Sequence, residues 1–158
     1  VLKVEFPKEI SPVHFIKLRL FNADGKEVGS NFYWRSTDEY KGKKTLTGPT
    51  TAGFESLNRL GKAKVSMKYG IRKKEGRNII DIRLRNTGRT IAFFTQLQLL
   101  DSEGKPVRPS FYTDNFFSML PGETRTVTIE TAERPEGNSR LVLKGYNLQS
   151  KDNYIDLK

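Results

Sequence analysis

The stretch KAKVSMKYGIR (62–72) alternates with a period of two. Ala63, Val65, Met67, Tyr69 and Ile71 fall on one side, and Lys62, Lys64, Lys68 and Arg72 on the other. This is the pattern of a strand with one face in a core and the other in water. It recurs in NIIDIRLRN (78–86), where Ile80, Ile82 and Leu84 oppose Asp81, Arg83 and Arg85. KKEGRN (73–78) supplies the turn between them. TGR (87–89) leads into a long strand, TIAFFTQLQLLD (90–101), and SEG (102–104) turns the chain into KPVRPSFY (105–112). Pro106 and Pro109 push that strand to an edge, since neither donates to a ladder. LPGE (120–123) reads as a tight turn before the strands ETRTVTIE (123–130) and SRLVLKGYN (139–147). Six short strands at turn-punctuated spacing, with no helical periodicity, predict an all-β chain built as an antiparallel β-sandwich.

Length and composition bound the function classes. The chain has 158 residues, room for one ordinary domain or one plus a fragment, and 35% of them are hydrophobic, enough for a packed core. Its start at Val1, without a signal-like stretch, is what a piece cut from a longer protein would show. No apolar run approaches the roughly 18 residues of a membrane helix, so no membrane partner is expected. The absence of Cys excludes disulfides and thiolate chemistry, and the single His14 cannot build a histidine metal site or, without a nucleophile elbow, a triad.

Charge is the feature that asks for a partner. The net charge is +10, and between Arg59 and Ile91 eleven Lys or Arg face only Glu75 and Asp81. The alternation sets Lys62, Lys64, Lys68, Arg83 and Arg85 on one outward sheet face. Single-stranded nucleic-acid binders interleave stacking aromatics with such charge, and Tyr69 points inward here, so no nucleic acid is expected. A solvated face, or one docked on an acidic neighbouring domain, fits better. A basic polyanion-binding domain is the alternative.

The first 35 residues are organised differently. VLKVEF (1–6), HFIKLRLFN (14–22) and KEVGSNFYW (26–34) read as strands, too few for an independent domain. FIKLRLFNADGKEVGSNFY (15–33) aligns without gaps on FTQLQLLDSEGKPVRPSFY (94–112), with eight of nineteen positions identical. The expected organisation is therefore the terminal strands of a preceding domain (1–35), a polar connector (36–58), a sandwich (59–150) and a tail (151–158).

These same residues carry a family resemblance. NFYW (31–34) after a DGK hairpin, and TTAGFESLNRL (50–60) after it, resemble the end of one immunoglobulin-like domain and the connector beyond it in glycoside hydrolase family 2. LRNTGRTIAFFTQLQLLDSEGKPVRPSFYTDNFFSMLPGETRTVTIE (84–130) and LKGYN (143–147) resemble the C-terminal immunoglobulin-like domain of its β-mannosidase and exo-β-glucosaminidase branch. The resemblance implies a parent enzyme with its two catalytic glutamates on an upstream barrel, acting on terminal β-mannosides or β-glucosaminides. It also implies an extracytoplasmic location. It carries no catalytic position, cofactor or metal onto this sequence. The expected partners are that barrel and, through it, a carbohydrate.

FYTDNFFSMLPGETRTVTI (111–129) holds the candidate site. Phe111, Tyr112, Phe116 and Phe117 are expected to seal the open end of the sandwich, with Asp114 and Asn115 bonding turn backbone. The functional reading puts Tyr112, Asp114, Asn115, Phe116, Phe117 and Trp34 at a domain interface or the rim of a sugar pocket. Trp34 is expected to pack rather than serve as a sugar platform. Neither Asp114 with Glu123 nor Asp101 with Glu103 reads as the pair of acids about 5–5.5 Å apart that retaining hydrolysis needs. NADGKE (22–27) and DSEGK (101–105) lack a calcium ligand ladder, so no metal is expected. The reading is a non-catalytic prop for the parent barrel, with an autonomous carbohydrate-binding module as the other alternative. Severed strands in residues 1–34 lead to an expectation of self-association.

Overall fold

The computed structural model describes residues 5–38, 53–132, 138–149 and 153–157. The chain divides into two compact units, Val1–Leu60 and Gly61–Lys158. In the first, β1 (Val13–Phe21) and β2 (Glu27–Ser36) form an antiparallel hairpin in register from Val13↔Ser36 to Leu20↔Gly29. The expected strand over 1–6 lies mostly outside the described residues, and Glu5 and Phe6 are not in a strand. Past the hairpin, Asp38 pairs with Gly53 across the connector. Its carboxylate accepts the Ser56 N–H and hydroxyl, both at 2.8 Å. That contact anchors a 3-10 turn, Glu55–Arg59, by putting negative charge at its N-terminal end. Phe15, Leu57 and Leu60 help line a cavity of about 300 Å³ in this unit.

The second unit is a sandwich of two four-stranded sheets. One has the order β3-β4-β8-β6, from β3 (Val65–Lys74), β4 (Arg77–Asn86), β8 (Thr124–Thr131) and β6 (Ser110–Tyr112). The other has the order β10-β9-β5-β7, from β10 (Tyr154–Asp156), β9 (Arg140–Lys144), β5 (Ala92–Leu100) and β7 (Phe117–Met119). All named strand pairs are antiparallel. Glu75 and Gly76, at φ 51° and 78°, form the two-residue loop of the β3–β4 hairpin, a backbone that matches strand twist. From β4 to β9 every connection crosses to the opposite sheet.

The alternation decides the core. Ile80, Ile82 and Leu84 of β4 and Val127 and Ile129 of β8 are fully buried, and they face Leu97 and Leu99 of β5. Each such side chain contributes about 1.5–3 kcal/mol by leaving water. Two strands escape the sequence pattern. β7 and β10 have three residues each, too few to show a period. β10 falls where a tail was expected and pairs Ile155 with Leu141. The strand expected over 105–112 shrinks to Ser110–Tyr112, with Pro106 making only an isolated bridge to Leu100.

Two buried asparagines tie the crossings together. Asn86 Nδ2 donates to the carbonyls of Thr90 and Met119, both at 2.9 Å, and its Oδ1 accepts the Gly88 N–H at 3.0 Å. Its backbone bonds Gly122 and Glu123, so the NTG and LPGE turns meet on one residue. Asn147 Nδ2 donates to Gly61 and Ile91 carbonyls at 2.7 and 2.8 Å, and its Oδ1 accepts the Phe93 N–H at 2.9 Å.

Candidate functional site

β5 is flanked by β9 along Gln96–Leu100, but on its other side β7 reaches only Ala92 and Thr95. The candidate segment completes that edge. Leu97 N–H donates to Asn115 Oδ1 at 2.8 Å, and Leu97 carbonyl accepts from Asn115 Nδ2 at 3.0 Å. Leu99 N–H donates to the Tyr112 hydroxyl at 2.9 Å, while its carbonyl accepts the Val107 N–H at 3.0 Å. An amide and a phenol thus stand in for a strand. Both leucines are 1% exposed, so each backbone group left unpaired would cost about 1–3 kcal/mol. Burial raises the Tyr112 hydroxyl pKa above its ordinary value, opposed by the Leu99 N–H.

Asp114 forms an ion pair with Arg125, whose guanidinium lies 4.7 Å over the Phe117 ring. Phe117 is buried and joins the core. The expected four-ring seal is not what the chain builds, however. Phe111 is 61% and Phe116 53% exposed. Phe111 stands opposite Glu130, at an outward-facing position of the pleat. Phe116 turns outward because its φ is 55°, which swings the backbone between the Asn115 clamp and β7. Trp34, in the first unit, is 46% exposed.

Phe116 has company that the sequence reading missed. Its ring lies 5.6 Å from Phe94, Phe94 lies 6.1 Å from Phe93, and Phe93 lies 5.9 Å from Tyr146. Phe93 is buried, whereas Phe94 and Tyr146 are each 47% exposed. Phe94 occupies the register shift between β5 and β7 with φ 50°. Bulge positions of this hand favour glycine, and a residue with a side chain there costs roughly 1–2 kcal/mol. No sequence signal marks it, since TIAFFTQ reads as uninterrupted strand.

Of the basic residues, Lys68 lies on β3 and Arg83 and Arg85 on β4, whereas Lys62 and Lys64 precede β3. Lys62, Lys64, Lys68, Arg83 and Arg85 are all exposed. Lys68 is directly opposite Arg83 across the β3–β4 ladder, and Arg83 opposite Thr126 on β8, so like charges are neighbours. Two residues along the same ladder the pattern reverses: Arg72 pairs with Asp81 at 2.6 Å, and Thr128 donates to the same carboxylate at 2.9 Å. The Arg72 bond, more than the opposing burial, holds the Asp81 pKa below its usual value.

The other acids weighed from sequence serve turns. Asp101 Oδ1 accepts the Glu103 and Lys105 N–H groups at 2.9 and 2.8 Å, and Glu103 pairs with Lys105. Glu123 Oε2 accepts the Leu120 N–H at 2.9 Å, closing LPGE. No cluster of three or more His, Cys, Asp or Glu able to hold a metal occurs among the described residues. What the second unit presents is a sandwich whose polar groups close its own edges, with one aromatic patch and one basic face left over.

Fold and seam define an immunoglobulin-like β-sandwich domain. The profile of the exo-β-D-glucosaminidase Ig-fold domain family matches residues 45–148, and the chain belongs to that family, within the β-mannosidase and exo-β-glucosaminidase branch of glycoside hydrolase family 2. It is 34% identical over 149 residues to an exo-β-D-glucosaminidase of Streptomyces avermitilis, covering 87% of this chain and 16% of the relative. A mannosylglycoprotein endo-β-mannosidase of Lilium longiflorum is 26% identical, over 97% of this chain and 21% of its own. The crystal structure of the exo-chitosanase CsxA of Amycolatopsis orientalis superposes with a TM-score of 0.77 at 29% identity, over 98% of this chain and 19% of that one. The chain thus spans between 14 and 21% of the length of the curated relatives it matches.

Proposed function

We propose that this chain is a non-catalytic accessory region of a longer family 2 glycosidase that removes terminal β-linked glucosamine or mannose residues, and that it buttresses the catalytic barrel. The observation that carries this is the use of the polar side chains. Asp101, Glu103, Asp114 and Glu123 are each engaged in a turn or an ion pair, so neither Asp101 with Glu103 nor Asp114 with Glu123 is free to act as a pair across a substrate. A relative-sized enzyme has ample chain elsewhere for chemistry.

The test compares the 158-residue chain with the full-length polypeptide that carries it. No turnover of aryl β-glucosaminides or β-mannosides is expected from the chain alone. Deleting residues 61–158 from the full-length protein is expected to lower its thermal midpoint and its activity together. Turnover by the chain that disappears in the Asp114→Asn variant would overturn the proposal.

The exposed rings favour one second reading, an autonomous carbohydrate-binding module. Two features weigh against it. Phe94 and Phe116 are inclined at 44°, so they present no common plane on which a pyranose could lie. Amino sugars are also partly protonated at neutral pH, and a chain of net charge +10 repels them. Isothermal titration with chito- and manno-oligosaccharides is expected to show no binding.

A further inference from the structure

Phe94 and Phe116 turn their rings into solvent from left-handed backbone, at φ 50° and 55°. Neighbouring groups fix both conformations. Phe94 N–H donates to Ser118 Oγ at 3.1 Å, Phe116 N–H to Asn115 Oδ1 at 3.1 Å, and between them Thr95 Oγ1 donates to the Phe117 carbonyl at 2.7 Å. Strain that leaves these rings about half exposed gives the isolated domain little beyond their contacts with each other and with Phe93, and such strain concentrates where a partner is met. We infer that Phe94, Phe116 and Tyr146 form the face through which this domain docks on an apolar surface of the catalytic portion of its own longer chain.

The occupant follows from chemistry and size. The four linked rings are Phe93, Phe94, Phe116 and Tyr146, so what they offer a partner is mainly apolar surface. An aromatic side chain carries about 150–250 Å², so three half-exposed rings offer roughly 300 Å² in all. A stable interface between separate molecules needs about 800 Å² from each partner, which argues against a second copy. A tethered partner needs far less, because the linker supplies a high effective concentration. The curated relatives carry some five-sixths of their length beyond the part this chain matches, which supplies that partner. The inference rests on the accessory reading above and adds which residues make the joint.

Phe94→Gly with Phe116→Gly tests it, because docking makes the effect change sign with context. In the 158-residue chain, glycine relieves the left-handed backbone, and the thermal midpoint is expected to hold or rise. In the full-length polypeptide the same pair is expected to lower the midpoint by several degrees. It should also speed proteolytic release of the domain at least tenfold. Phe111→Ser, an exposed ring on β6, serves as the control expected to change neither. Phe94→Asn repeats the test with a side chain that tolerates the left-handed region. A similar loss in both contexts would make the rings the domain's own packing and overturn the inference, as would no change in the full-length protein. A raised KM with unchanged proteolysis would make them sugar contacts and overturn it too. If deleting 61–158 leaves the remainder unchanged, the supporting role fails and docking falls with it. If deletion destabilises and the glycine pair does not, only the docking face is wrong.

Discussion

Replacing Asn86 by Ala should show how much of the sandwich hangs on one side chain. Asn86 is 0% exposed and makes three hydrogen bonds, to Thr90, Met119 and Gly88. Met119 is itself 0% exposed, so its carbonyl would be stranded at a cost of about 1–3 kcal/mol. The Thr90 and Gly88 groups are half-buried, and each should lose about 0.5–1.5 kcal/mol as water takes over. The total, about 2–6 kcal/mol, is a large share of the roughly 5–15 kcal/mol that holds a domain folded. At about 4–8 °C per kcal/mol for a unit this size, the midpoint should fall by at least 8 °C. Urea titration followed by far-UV circular dichroism is the assay, since the single Trp34 lies in the other unit. Asn86→Asp refines the argument: it keeps an acceptor for Gly88 but turns a carboxylate towards two carbonyls. Such a group is held protonated in the folded state, so its contribution is present below the unfolded pKa near 3.9 and lost as pH rises. The Asn86→Asp variant should therefore be less damaged at pH 4 than at pH 7. A loss below about 1 kcal/mol for Asn86→Ala, or no pH dependence for Asn86→Asp, would refute the claim that this side chain joins the two turns.

Three further outcomes follow from the same geometry. Tyr112→Phe strands the Leu99 N–H and should cost about 1–3 kcal/mol in chemical denaturation. Because the folded pKa of Tyr112 is raised, its contribution is complete below pH about 10 and lost above it, so the variant should also show a shallower alkaline decline. The Asp81 pKa is lowered, so its contribution is present above the ordinary aspartate value and lost as pH falls through the folded one; Asp81→Asn should lose that small, solvent-screened contribution at pH 7 and show a flatter acid unfolding. Arg83→Glu creates an opposite-charge pair with Lys68 and should stabilise by about 0.2–1 kcal/mol at low salt, fading in 1 M NaCl.

How much of this was legible in the sequence depends on the range over which each feature is encoded. Alternation in 62–72 and 78–86 is local, and burial alternates from Val65 to Arg72 in β3 and from Ile80 to Arg85 in β4, although β3 starts only at Val65 and Asn78 and Ile79 are buried as well. The LPGE turn and the basic face are equally local. The Asn115 and Tyr112 clamps are not, because their partners Leu97 and Leu99 lie 18 and 13 residues away and offer only backbone atoms. No side-chain pattern advertises a backbone partner. The Phe94 bulge is harder still: left-handed positions are usually announced by Gly or Asn, and here a Phe occupies one inside an apolar run.

The repeated hairpin shows the same division within one pair of segments. Asn22 and Asp101 occupy equivalent positions, and each accepts from the backbone N–H four residues on, Lys26 and Lys105, at 2.8 Å. Gly25 and Gly104 follow with φ 75° and 80°, and each donates to the carbonyl three residues back. The shared letters therefore build the same turn twice. Beyond the turn the copies part. β2 stays on β1 for its whole length, whereas the strand after Gly104 makes one bridge to β5 and then leaves for β8 in the opposite sheet. Pro106 and Pro109 stand where Glu27 and Ser30 stand in the first copy, and neither can donate to a ladder. Two prolines thus turn a hairpin into a sheet crossing. That crossing leaves β5 with an open edge, which is why Tyr112 and Asn115 are committed to closing it.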